Sequence, residues 1–200
     1  MKIAVPRESA PGETRVAATP ETIKKFTALG AELAVENGAG DAASITDAEF
    51  EAAGACVGAR EKVLGGAEAI LCINAPDPVS LKGAHGGALV VGAFDPLRQP
   101  GTIDAYAKAG LEALAMEWMP RITRAQSMDI LSSQSNLAGY KAVVDGAGGY
   151  GRAFPMMMTA AGTISAARVF VMGVGVAGLQ AIATARRLGA QVSATDVRSA

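Results

Sequence analysis

The sequence predicts an α/β protein with two parallel sheets, and three features of the chain support this fold class. In the first half of the chain, short apolar runs alternate with helical patterns, a spacing typical of βαβ units. Residues 173–178 read GVGVAG, a Gly-x-Gly-x-x-Gly motif between an apolar run and a helical pattern. A further apolar run at 191–195 follows, and the chain ends soon after it. We therefore expect two Rossmann-like parallel-sheet domains, the second of them truncated.

The first domain is expected to span residues 1–131. Thr19 is the predicted N-cap of its first helix, and Gly30 follows the end of that helix. Thr46 is the predicted N-cap of a second helix, which stops at Gly54. The predicted strands are residues 3–5, 32–36, 69–73, 89–93 and 111–116. Strands that are separated by helices in this way are expected to pair in parallel.

A linking helix and loop are expected at residues 132–166. Ser133 or Ser135 is a candidate N-cap for this helix. Apolar side chains recur at helical spacing and are predicted to share one face: Leu131, Leu137, Tyr140 and Val144. Residues 167–200 are expected to begin the second domain as a strand, a helix at 179–188 and another strand.

The composition excludes several classes of function. Of the 200 residues, 50% are hydrophobic and 18% are charged, and the formal net charge is −1. This balance gives no reason to bind nucleic acid or an anionic membrane, and no apolar run is long enough for a direct membrane span. His85, the only histidine, lies in a turn-like stretch where an exposed position is expected, and no metal site is predicted. Cys56 and Cys72 lack metal or redox spacing and are expected to be reduced and buried.

The glycine motif points most directly to a ligand. Gly173 permits a tight turn, Gly175 lets a pyrophosphate approach the backbone, and Gly178 lets the helix lie close to the strand. The pyrophosphate would meet backbone N–H groups at the positive end of the helix dipole. Asp196, about 20 residues further on, can accept hydrogen bonds from a ribose and would repel a 2′-phosphate. The pattern therefore favours NAD over NADP. The alternative is a purely structural turn in a chain with 24 glycines.

A second polar stretch, residues 120–136, separates a predicted strand from a predicted helix. Arg121, Gln126 and Asp129 lie within it, together with several serines. An arginine, an amide and a carboxylate can hold a flat, amide-bearing ring by complementary hydrogen bonds. The arginine can equally be a surface charge and the serines helix caps, and the residues alone leave both interpretations open.

Several long segments resemble one family. They are residues 3–8 (IAVPRE), 13–20 (ETRVAATP), 119–140, the glycine motif at 173–178 and residues 196–198 (DVR). In this order they resemble the NAD(H)-binding domain I of proton-translocating NAD(P) transhydrogenase, which belongs to the alpha subunit of the bacterial enzyme. The resemblance covers essentially the whole chain.

The resemblance implies hydride transfer between NADH and NADP⁺, coupled by other domains to proton translocation across a membrane. Arg121, Asp129 and Ser132 are expected to position the nicotinamide of NAD(H), and Gln126 to lie beside it, facing NADP(H) on a partner domain. These four residues form the expected catalytic group. The expected NAD(H)-binding residues are Arg121, Ile122, Thr123, Gln126, Ser127, Met128, Asp129, Ser132, Gly173, Gly175, Val176, Gly178, Asp196, Val197 and Arg198.

The resemblance also implies partners. These are the NADP(H)-binding and membrane domains of the transhydrogenase and, as a homodimer, a second copy of the chain. The expected location is cytoplasmic, peripheral to the inner (plasma) membrane through the partner subunits. The isolated chain is expected to be an inactive fragment or a split subunit. The alternative from another class of function is a non-catalytic NAD-binding or assembly module.

Alanine dehydrogenase belongs to the same superfamily and shares Arg15 and the Rossmann unit. Its chemistry needs a lysine and a histidine at the substrate, as a carboxylate anchor and a proton-transfer group. This chain has Cys72 in place of the lysine and no histidine in residues 92–95. Alanine dehydrogenation is therefore disfavoured. Many transhydrogenases also keep the lysine, so Cys72 departs from both patterns.

Overall fold

The computed structural model describes residues 1–198. The chain divides into two compact units, the first from Met1 to Ala125 and the second from Gln126 onward. Each unit is described by itself below. The predicted linking segment at 132–166 and the other predicted domain limits stay predictions.

The first unit is built on a six-stranded parallel sheet with the strand order β3-β2-β1-β4-β5-β6. The strands are β1 (Lys2–Val5), β2 (Glu32–Glu36), β3 (Cys56–Gly58), β4 (Ala69–Asn74), β5 (Leu89–Ala93) and β6 (Glu112–Ala115). The helices are α1 (Pro20–Ala28), α2 (Asp47–Ala52), α3 (Arg60–Leu64) and α4 (Pro100–Lys108). Short 3₁₀ segments lie at Asp41–Ala43, Pro78–Leu81, Met116–Trp118 and Thr123–Met128. The predicted α/β class is confirmed.

Both faces of this sheet are buried. On one face, Ile3 and Val5 of β1 pack in a cluster with Phe50 of α2. On the other face, Ala4 packs in a second cluster that contains Val90 and Tyr106. Alternate side chains of one strand therefore supply both clusters, as expected for a parallel sheet with helices on its two sides.

The predicted N-caps of α1 and α2 are confirmed. The Thr22 N–H donates to Thr19 Oγ1 at 3.4 Å, and the Thr19 N–H donates to Thr22 Oγ1 at 2.7 Å. Thr46 forms the same reciprocal pair with Glu49, at 3.3 and 2.7 Å. Each pair satisfies two helix-terminal N–H groups.

Three elements of the first unit have weak sequence signals and are absent from the prediction. β3 has only three residues and ends in glycine. α3 and α4 follow Ala59 and Gln99, neither of which makes a capping hydrogen bond through its side chain. Without a capping residue, a helix start is hard to recognise in a sequence.

The second unit contains two long helices and four strands. They are α5 (Ile130–Gly149), β7 (Met157–Thr159), β8 (Gly162–Ile164), β9 (Arg168–Met172), α6 (Val176–Arg187) and β10 (Gln191–Thr195). β9 and β10 pair in parallel, whereas β7 and β8 form an antiparallel hairpin. The predicted strand–helix–strand order is confirmed. The hairpin lies in the segment for which the sequence predicts helix and loop.

Two expectations for α5 are wrong. The helix begins two residues before Ser132, and its N-cap is Asp129 rather than Ser133 or Ser135, because the carboxylate of Asp129 accepts from the first-turn N–H groups. The buried residues of α5 are Gly139 and Val143. The predicted apolar face is exposed at all four positions: Leu131, Leu137, Tyr140 and Val144.

The two cysteines differ in environment. Cys72 is buried as expected, and burial raises the pKa of its thiol to about 12. Cys56 is exposed, so the expectation that it is buried is wrong. His85 is exposed, as predicted. Within residues 1–198, no helix combines the length and the apolar character needed to cross a membrane.

Candidate functional site

The glycine turn joins β9 to α6. Gly173 has a φ of 93°, in the region that favours glycine, and its N–H donates to the Thr195 carbonyl at 2.7 Å. This bond ties the turn to the end of β10. Gly175 is the N-cap of α6 and, as a glycine, brings no side chain to cap the first-turn N–H groups. A helix start of this kind suits a bound anion.

The other two glycines of the motif differ in what requires them. A Cβ on Gly178 would lie 1.8 Å from the carbonyl oxygen of Gly173, so this position tolerates only glycine. A Cβ on Gly175 would meet no atom nearer than the Arg198 guanidinium, at 4.0 Å. The fold therefore requires Gly178, whereas the space at Gly175 suits the close approach of a ligand. Both observations agree with the roles expected from the motif.

Asp196 lies directly after β10 and faces the glycine turn. Its Oδ2 accepts from the Val174 N–H at 2.8 Å. Its Oδ1 accepts from the N–H and the Nε of Arg198, at 2.9 and 3.1 Å. The side-chain bonds from Arg198 come first among the causes, followed by the backbone N–H bonds, that hold the pKa of Asp196 well below its ordinary range. The structure thus keeps a charged carboxylate beside the turn, as the sequence predicts.

The polar stretch crosses the boundary between the two units. Arg121, Ile122 and Thr123 belong to the first unit, and Gln126 and the residues after it belong to the second. In the second unit the exposed residues of this stretch include Gln126, Ser127 and Met128.

Asp129 and Ser132 are brought together at the start of α5. Asp129 Oδ1 accepts from the N–H groups of Leu131 and Ser132, at 2.9 and 3.0 Å. Ser132 Oγ donates to Asp129 Oδ2 at 2.6 Å. These bonds orient the carboxylate and the hydroxyl, which are two of the four groups expected to position a nicotinamide. Asp129 therefore serves as a helix cap whether or not it also binds a ligand.

A second polar cluster, at the carboxyl ends of the first sheet, is missing from the sequence prediction. Glu8 accepts from the Ile73 and Asn74 N–H groups at 2.6 and 3.3 Å. Glu13 accepts from Arg15 Nε and Nη2 at 2.7 and 2.6 Å, and from Asn74 Nδ2 at 2.9 Å. The Arg15 guanidinium is the main cause that lowers the pKa of Glu13 to about 2. The only sequence signal is that Glu8, Glu13 and Arg15 lie in segments that carry the family resemblance.

Cys72 lies on β4, near this cluster in the chain. Its Sγ donates to the Val91 carbonyl at 3.3 Å, and its raised pKa keeps the thiol neutral. A neutral, buried thiol cannot anchor a substrate carboxylate as a lysine would. No group of three histidine, cysteine, aspartate or glutamate side chains in residues 1–198 could hold a metal ion.

Two family models match the chain. Residues 4–138 match "Alanine dehydrogenase/PNT, N-terminal domain", and residues 142–200 match "Alanine dehydrogenase/PNT, C-terminal domain". The chain belongs to the alanine dehydrogenase/PNT family. The predicted resemblance to this superfamily is thereby confirmed.

Within this family, the chain is more similar to transhydrogenases than to alanine dehydrogenases. It is 55% identical to an NAD(P) transhydrogenase subunit alpha protein of Rhodospirillum rubrum, over 100% of this chain and 54% of that relative. It is 30% identical to alanine dehydrogenase of Mycobacterium tuberculosis, over 98% of this chain and 54% of that protein. The crystal structure of a transhydrogenase from Sinorhizobium meliloti has a TM-score of 0.95 at 55% identity, covering 100% of this chain and 57% of that one. The chain thus spans about half the length of these family members.

Proposed function

We propose that this chain is the NAD(H)-binding component of an NAD(P) transhydrogenase, acting in hydride transfer between NADH and NADP⁺. The observation that carries the proposal is the ionised carboxylate of Asp196, held against the glycine turn by the Val174 N–H. The higher identity to a transhydrogenase alpha subunit supports the choice of reaction within the family.

The adenosine half of NAD(H) fits the residues of the second unit. The first turn of α6 would hold the pyrophosphate, because its N–H groups and the helix dipole both favour an anion. Val176 begins this helix, and Gly175 leaves space for the phosphates. Asp196 would accept hydrogen bonds from the ribose hydroxyls, with Val197 and Arg198 beside it. Its negative charge supports NAD(H) over NADP(H) in this site.

Asp129 and Ser132 are the residues of the second unit that we propose to hold the nicotinamide. Their mutual hydrogen bond fixes an acceptor and a hydroxyl that suit the carboxamide of the ring. The bound nicotinamide supplies a hydride directly, so the protein needs only to orient the ring and exclude water. Gln126, Ser127 and Met128 would lie next to it, with Gln126 toward the NADP(H) of a partner domain. The roles of Arg121, Ile122 and Thr123 stay predictions from the resemblance.

The partners of the chain follow from the same proposal. The relative from Rhodospirillum rubrum is named as one portion of an alpha subunit, which indicates an enzyme made of several chains. We propose that NADP(H)-binding and membrane domains complete this enzyme, that they carry out proton translocation, and that the chain works as a homodimer. Its location would then be at the cytoplasmic face of the inner membrane, through those partners.

Gln126 separates this proposal from a non-catalytic NAD-binding or assembly module. We expect Gln126→Ala to leave the Kd for NADH within about twofold and to slow hydride transfer by about 10- to 100-fold, as small misplacements of reacting groups do. The assay is reduction of an NAD⁺ analogue by NADPH, with the full chain mixed with the NADP(H)-binding domain of a related transhydrogenase.

The matched control is Gln99→Ala, which removes an exposed glutamine before α4. It should change neither binding nor transfer. NADH binding without any transfer by the unsubstituted chain would support the non-catalytic module. Equal transfer rates for Gln126→Ala and the unsubstituted chain would remove Gln126 from the mechanism.

A further inference from the structure

Arg198 is the cation nearest to the ribose-binding carboxylate. Its Nε and Nη2 lie 3.1 and 3.3 Å from the two oxygens of Asp196. The same guanidinium comes within 4.0 Å of the position that a Cβ on Gly175 would occupy. Arg198 therefore lies between the carboxylate that would meet the ribose and the turn that would meet the pyrophosphate.

The two partners of this ion pair differ in exposure. The side chain of Arg198 is 71% exposed, whereas that of Asp196 is only 10% exposed. Asp196 is also fixed by the Val174 N–H, so the carboxylate has a defined position. The guanidinium is held at its solvent-facing side mainly by Asp196. A change at Asp196 would therefore free the guanidinium without removing the turn beneath it.

A guanidinium at this place has a chemical use beyond pairing with aspartate. Arginine binds phosphate with two parallel N–H···O bonds, which suits the 2′-phosphate of NADP(H). In dinucleotide-binding folds, an acidic residue here selects the 2′-hydroxyl, and a nearby arginine accommodates the 2′-phosphate. This chain has both groups, in contact with each other.

We propose that Arg198 is a latent 2′-phosphate ligand that is masked by Asp196. In the intact chain, the carboxylate occupies the guanidinium and repels a phosphate, so one residue sets the preference for NAD(H). This inference rests on the proposed NAD(H) site and adds to it the group that would recognise NADP(H). The selectivity of the site is then a competition between one carboxylate and one phosphate for the same guanidinium.

The test replaces the carboxylate and keeps its shape. Asp196→Asn retains an oxygen that can accept from the Val174 N–H but removes the negative charge. We expect its Kd for NADPH to fall by about 10- to 100-fold relative to the unsubstituted chain, as expected for charge-assisted bonds to a phosphate. The Kd for NADH should rise, because the ribose loses an ionised acceptor. Both values are measured by isothermal titration calorimetry on the full chain.

The double variant Asp196→Asn, Arg198→Ala is the decisive control. It should lose the gain in NADPH affinity and keep the NADH affinity of the single variant within about threefold, because the gain is assigned to the guanidinium–phosphate contact alone. Asp196→Ser, with circular dichroism of every variant, guards against loss of folding. It should show the same gain in NADPH affinity.

The possible failures are distinguishable. If the unsubstituted chain binds neither NADH nor NADPH, the proposed NAD(H) site is wrong and this inference falls with it. If that chain binds NADH but folded Asp196→Asn and Asp196→Ser gain nothing toward NADPH, only the latent phosphate site is refuted. A gain that survives Arg198→Ala would also refute it, because another group would then hold the phosphate.

Discussion

The contact between α5 and α6 depends on one glycine, and this gives a sharp test of the second unit. A Cβ built on Gly139 would lie 2.1 Å from the carbonyl oxygen of Ala177, in the first turn of α6. That is roughly 1 to 1.5 Å short of an ordinary nonbonded contact. The atom it meets is backbone, which cannot swing aside as a flexible side chain does. Gly139→Ala should therefore push α5 and the start of α6 apart.

Two opposing effects set the size of the change. Alanine is favoured over glycine inside a helix by about 1 kcal/mol. Forcing an extra carbon into a packed contact costs about 1–3 kcal/mol, occasionally more. Because the clash is with backbone, we expect the cost at the upper end and a net loss of about 2 kcal/mol for Gly139→Ala. The displaced turn carries the proposed pyrophosphate site, so NADH affinity should fall as well.

Gly146 provides the matched control on the same helix. No atom lies within 4 Å of a Cβ built there. Gly146→Ala should therefore show only the helix-propensity gain of about 1 kcal/mol. Urea unfolding followed by circular dichroism measures both variants, and NADH titration follows the site. The two variants should differ in unfolding free energy by about 3 kcal/mol, with opposite signs relative to the unsubstituted chain. A Gly139→Ala chain as stable as Gly146→Ala would refute the close approach of the two helices.

Three further predictions follow from single contacts. Gly178→Ala should weaken NADH binding by at least about tenfold, because its Cβ would overlap a carbonyl of the turn that is proposed to hold the phosphates; calorimetry checks this, and unchanged affinity would contradict it. The pKa of Glu13 is lowered to about 2 from an ordinary value of 4.5. Its pairing with Arg15 therefore stabilises the fold fully above pH 4.5, and this contribution is lost as the pH falls toward 2. Melting temperatures across that range should fall less steeply for Glu13→Gln, and parallel curves would contradict the pairing. Ellman's reagent at about pH 8 should label Cys56 rapidly and Cys72 only on unfolding, because burial raises the pKa of Cys72 to about 12; rapid labelling of two thiols would show that Cys72 is accessible.

Much of the fold can be predicted because its local signals agree with one another. The threonine caps at Thr19 and Thr46 and the apolar runs of β2 and β5 mark their elements within a residue or two. The predicted start of α5 is wrong because the serines resemble caps, whereas Asp129 accepts from the first-turn N–H groups. The buried side of α5 escapes prediction because small residues such as Gly139 carry no hydrophobic signal.

The candidate site is predictable where its chemistry is local. Asp196 and the glycine motif are separated by one helix, and parallel pairing of β9 with β10 brings them together. The pairing of Glu13 with Asn74 is not predictable, because it depends on which strand ends lie side by side. Periodicity in a single sequence does not contain the order of strands in a sheet.

The most direct test of the proposed function is a titration of the purified chain with NADH and, separately, with NADPH. Trp118 is the only tryptophan and is exposed, so its fluorescence reports on binding near the polar stretch. Calorimetry provides the same Kd without relying on that probe. We predict saturable binding of NADH and at least about tenfold weaker binding of NADPH, because the charge of Asp196 repels the 2′-phosphate. Equal binding of the two, or preference for NADPH, would contradict the assignment of this site to NAD(H).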